Sequence, residues 1–76
     1  MHIVLVVASE TIVPVGLRRI IQASSTSVDE VAVRPQSTRA ADHVLVWTGT
    51  VLDVRGELFR WPEDESEIRM LLQTGV

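Results

Sequence analysis

Cysteine is absent from this 76-residue chain, and so is lysine. Without cysteine there is no disulfide framework and no thiolate metal site, which removes two staples of small domains and leaves oligomerisation as the third. All seven basic residues are arginine, a composition expected of a GC-rich genome, and no chemistry is drawn from it. An excess of positive charge is also missing. The 7 basic residues face 10 acidic ones, for a net charge of −3, which argues against a surface built on phosphate neutralisation and hence against direct nucleic-acid contact. No run approaches the ~20 apolar residues that span a bilayer. The opening MHIVLVVAS lacks the positive start of a secretion signal, and Glu10 closes its short apolar run. A cytoplasmic protein with no membrane partner is expected.

Nucleotide-binding and hydrolase signatures are missing too. There is no G-x-G-x-x-G, no Walker A loop, and no G-x-S-x-G elbow around Ser9. Ser9, Glu10 and Thr11 have no histidine nearby in sequence and read as cap and loop residues. His2 and His43 open two strands expected to be neighbours, but two histidines without a third ligand make a poor zinc site. They read as solvent-facing residues at strand starts. The expectation is a chain with no catalytic set, no metal and no cofactor, and not an enzyme.

What is present reads as one domain over residues 1–76, with the thin core of a chain that hides only about 60% of the surface its unfolded form exposes. Ile3 to Val7 is apolar at every position, the pattern of a strand covered on both faces. Thr11 can cap a following helix with Pro14 in its first turn, where Val13, Leu17, Ile20 and Ile21 share one face and Arg18, Arg19 and Gln22 turn to water. Val28 to Arg34 alternates and carries Asp29 and Glu30, so it reads as a wetter edge strand ended by Pro35. The stretch 36–42 has room for at most about two helical turns. HVLVW, 43–47, is a second doubly covered strand, and two such strands joined by crossovers imply a parallel sheet. VLDVRGELFRW, 51–61, predicts a hairpin turning at Arg55-Gly56. Pro62 then opens a last helix with Glu63, Asp64 and Glu65 in its first turn and an apolar stripe of Ile68, Leu71 and Leu72.

IVLVVASETIVPVGLRRII, with Val15-Gly16-Leu17-Arg18-Arg19 as its most specific part, resembles the opening of bacterial response-regulator receiver domains, especially those attached to helix-turn-helix transcription factors. Asp42 to Trp47 resembles the receiver strand that ends in the phosphorylated aspartate, and Asp64 to Val76 is similar to a later helix and its exit turn. Together the matches cover about half of the chain. The resemblance implies an α/β fold: a small flavodoxin-like (receiver-like) sheet with parallel central strands, a hairpin near 51–61 and a C-terminal helix. It also marks departures. The acidic pair that binds Mg²⁺ falls on Ala8 and Ser9, and the phosphoacceptor falls on Trp47, none of which offers a carboxylate. Thr48 or Thr50 echoes the switch residue, and the family's lysine has no counterpart. Gly75-Val76 falls about where the family begins its fifth strand and helix, so either a sheet edge closed by another chain or a fold rearranged by the hairpin at 51–61 is expected.

These readings converge on a phosphorylation-independent interaction module in bacterial regulation or assembly, self-associating or completing a partner's sheet. The alternative is a regulator that binds a small molecule in the degenerate pocket of Ala8, Ser9, Trp47 and Thr48, where such sheets hold ligands. Trp47 is expected to fill that pocket instead. The contact surface is expected at Phe59, Trp61, Ile68, Leu71 and Leu72.

Overall fold

The computed structural model describes residues 1–37 and 41–74. In chain order the elements are β1 (His2–Val7), α1 (Val15–Ser24), β2 (Ser27–Val31), β3 (His43–Trp47), β4 (Val51–Val54), β5 (Glu57–Arg60) and α2 (Glu65–Thr74). They build an α/β fold around one five-stranded mixed sheet in the order β2-β1-β3-β4-β5. β1 pairs in parallel with β2 on one side and β3 on the other, while β4 and β5 are antiparallel additions.

The hairpin turns where the sequence places it. Arg55 and Gly56 both have positive φ, 52° and 88°, the combination a two-residue turn needs to match strand twist. The Gly56 N–H donates to Asp53 Oδ1 at 2.9 Å.

Both helices lie on one face. Ile3 and Leu5 of β1, Leu45 and Trp47 of β3, Leu52 and Val54 of β4 and Phe59 of β5 pack there with Leu17, Ile20 and Ile21 of α1 and Ile68 and Leu72 of α2. Where the helices meet, Trp61 covers Gly16 so closely that a Cβ there would lie 2.9 Å from the indole Cζ2. That contact is why the Val-Gly-Leu-Arg-Arg segment needs its glycine.

Several expectations change. α1 begins at Val15 behind an extended Pro14 and has no side-chain cap. Thr11 closes the preceding turn instead, with its N–H and its hydroxyl both on the Ala8 carbonyl at 3.2 and 2.6 Å. α2 begins at Glu65 rather than at Pro62. Asp64 joins β5 to it, Oδ2 accepting the Arg60 N–H at 2.8 Å. No helix is present at 36–37 or 41–42, and the rest of the expected 36–42 crossover lies outside the described residues.

The expected contact surface is the largest correction. Phe59, Ile68 and Leu72 are buried inside the chain's own core, with Trp61 and Leu71 partly buried against it. The reason is geometric: the stripe of α2 faces α1 and the sheet, so its apolar side is already occupied.

Among the described residues, no helix lies on the opposite sheet face. By strand alternation and register, it presents Val4 and Val6, Val31, Val44 and Val46, Val51 and Leu58, rimmed by His2, Asp29, Asp53 and Arg60. Val4 and Val6 at its centre are 7% exposed, whereas Leu58 at the β5 side is 64% exposed.

Candidate functional site

The C-terminal ends of β1 and β3 bring the expected pocket residues to one corner. The Ala8 N–H donates to the Trp47 carbonyl at 3.0 Å, and Thr48 closes the turn to β4 with its N–H and hydroxyl on the Val51 carbonyl at 3.1 and 3.2 Å. Two residues of this corner take left-handed backbone, Glu10 at φ 64° and Gly49 at φ 108°. An added Cβ on Gly49 would sit 3.1 Å from Thr11 Cγ2, so the two turns pack on one another.

Trp47 is 2% exposed. Its ring fills the layer between sheet and helices, and its indole N–H donates to the Ile12 carbonyl at 3.2 Å. A buried Trp needs such an acceptor, and the loop before α1 supplies it. The corner is therefore divided: Ala8 and Ser9 line a surface cavity of about 460 Å³ with Val7, Glu10, Glu30, Val31 and Ala32. Trp47 and Thr48 take no part in that cavity.

The chemistry available in it is limited. Glu30 is committed to Arg18, which grips it with both terminal guanidinium nitrogens, Nη2 to Oε1 at 3.0 Å. Hydrogen bonding to Arg18 holds the Glu30 carboxyl below its ordinary value of 4.5 and raises the Arg18 guanidinium in turn. The pair ties α1 to the edge strand β2. Among the described residues no hydrogen bond joins Ser9 to a base, and no three His, Cys, Asp or Glu are arranged to hold a metal ion.

The histidines are separated by the sheet. His2 faces the helix-free side, Nδ1 sharing a hydrogen bond with Ser27 Oγ at 2.8 Å and Nε2 lying 3.2 Å from Asp29 Oδ2. His43 faces the helices and is 2% exposed, which corrects its expected place in solvent. Among the described residues, neither of its ring nitrogens has a hydrogen-bond partner. The sequence carried no sign of that burial beyond the residue's position in an apolar run.

Comparison with known proteins returns no match: no family model, no curated protein and no solved structure is similar to the chain. Among the described residues no helix is long and apolar enough to cross a membrane.

Proposed function

We propose that this chain is a receiver-like module without phosphorylation chemistry that works by protein–protein association, first of all with a second copy of itself. One observation carries the reading: the three parallel strands are rich in valine on the face that no helix covers. Parallel strands apolar on both faces, as in all-parallel sheets, are ordinarily covered on both, and apolar patches left exposed mark interaction sites. This face has Val31, Val44, Val46 and Val51 half-buried and Leu58 exposed. Its rim carries acid on one side, Asp29 of β2, and base on the other, Arg60 of β5. A two-fold-related copy can set each against its opposite, as a self-complementary interface requires.

The missing acids support the phosphorylation-independent half of the reading, because Ala8, Ser9 and Trp47 offer no carboxylate where the receiver resemblance calls for the Mg²⁺ ligands and the phosphoacceptor. A bacterial regulatory or assembly role in the cytoplasm belongs to the same proposal. Light scattering at tens of micromolar tests it, with Leu58→Glu as the probe because that side chain is exposed in the single chain. The native chain should self-associate, and the variant should be monomeric with unchanged circular dichroism. A native chain that is monomeric and binds no apolar dye overturns the proposal.

A further inference from the structure

At the other end of the sheet, His43, Val54, Arg55, Glu57 and Leu71 line a cavity of about 240 Å³. We propose that it is a binding site for a small zwitterion with an apolar side chain, an amino acid being the simplest. The space is many times the roughly 10–15 Å³ that a single water needs, enough for such a molecule. The hairpin builds the site: β4 and β5 run back alongside β3, which sets Arg55 and Glu57 beside the start of β3 and under the far end of α2.

Three features of the lining specify the ligand. Val54 and Leu71 supply an apolar wall. Arg55 anchors one of its nitrogens, Nη2, on the Asp42 carbonyl at 2.8 Å, which fixes the guanidinium and leaves its other N–H donors for a carboxylate. Glu57 places the opposite charge across the same small space, where it suits an ammonium group. An anion alone would meet Glu57 and a cation alone would meet Arg55, so only a molecule bearing both charges satisfies both residues.

His43 gives the independent sign of a ligand. A buried polar group without a partner costs roughly 1–3 kcal/mol, and such groups are few in native proteins. Here both imidazole nitrogens are buried and unpaired in a side chain that lines the cavity. The nitrogens have almost no accessible surface as the ring stands, so a polar group entering the site pairs with them once the ring turns toward the cavity.

Titration followed by NMR tests the proposal on the full chain, reading the His43 ring nitrogens and the Val54 and Leu71 methyls. The probes are L-valine, isobutylamine, which lacks its carboxylate, and isovalerate, which lacks its amine. L-valine should shift all three sets of signals and bind at least tenfold more tightly than either analogue. Glu57→Gln, a change at an exposed residue, should weaken L-valine and strengthen isovalerate until the two bind alike. The proposal is overturned if no probe moves the His43 signals at tens of millimolar, or if either analogue binds within tenfold of L-valine. Self-association is read separately by light scattering, so failure here leaves the association reading standing.

Discussion

Trp47 stands where the receiver resemblance calls for a hydrated carboxylate, and it has become part of the core. Trp47→Asp replaces packed apolar surface with a buried charge, and the lost packing alone costs about 3–5 kcal/mol. In a chain of this size that should abolish cooperative thermal unfolding. Trp47→Phe should cost less, about 1–3 kcal/mol, mainly through the Ile12 carbonyl left without its donor. An Asp variant that melts like the native chain and binds Mg²⁺ would mean that the acidic site persists and that the indole is dispensable. Gly16 offers a second test. Alanine there adds up to about 1 kcal/mol of helix propensity but meets Trp61, and overpacking of this kind costs about 1–3 kcal/mol. Gly16→Ala should lower the melting temperature in the native background and raise it in Trp61→Ala, a reversal that only direct contact explains.

At the scale of elements, the Arg18–Glu30 pair is the polar tie between α1 and β2. Because the Glu30 carboxyl is held below 4.5 in the folded chain, the pair stabilises the fold at pH values above 4.5. That contribution fades as the pH falls through the lowered value. Both side chains are partly exposed, so it should amount to less than about 1 kcal/mol. The difference in melting temperature between the native chain and Glu30→Gln should therefore be present at pH 7 and gone near pH 3. A difference that persists at pH 3 would assign Glu30 a role other than its charge.

The elements were legible where the local signal is strong. The uninterrupted apolar runs of β1 and β3 and the Arg55-Gly56 turn are visible in the residues themselves. Helix starts were less so, because Thr11 serves as a cap or as a turn lock depending on backbone that Pro14 fixes. Ile68, Leu71 and Leu72 show the limit most clearly. Their spacing marks a face to be buried, but whether a neighbouring helix or another molecule buries it depends on the packing of α2 against α1. The same limit applies to Val4, Val6, Val44 and Val46, whose pattern demands cover without naming its source. The Ala8 and Trp47 corner was legible as a place, and its division into a filled layer and a separate cavity was not.

For the whole molecule, the two sides of the sheet predict opposite responses to one kind of substitution. Leu72 belongs to the layer under the helices and is buried, so Leu72→Glu should unfold the chain, costing several kcal/mol of the 5–15 kcal/mol typical of a domain. Leu58 belongs to the helix-free face, where a surface change ordinarily stays within about 0.5 kcal/mol. Leu58→Glu should leave the melting temperature of the monomer intact and alter only the mass in solution. If both variants unfold, the two faces are equally internal; if both remain folded, α2 does not complete the core.

The edges of the sheet bear on how large an assembly can become. β2 carries Asp29 and Glu30 in succession, and β5 is bounded by Glu57 and Arg60. Charges along an outer strand discourage a further strand from pairing with it. Growth by adding strands sideways would give fibrils of no fixed length, and both rims are insulated against it. Stacking of faces consumes the open surface in a single step. On the proposed association, this arrangement favours a closed pair of sheets, with Asp29 and Arg60 serving both as edge charges and as the border of the valine face.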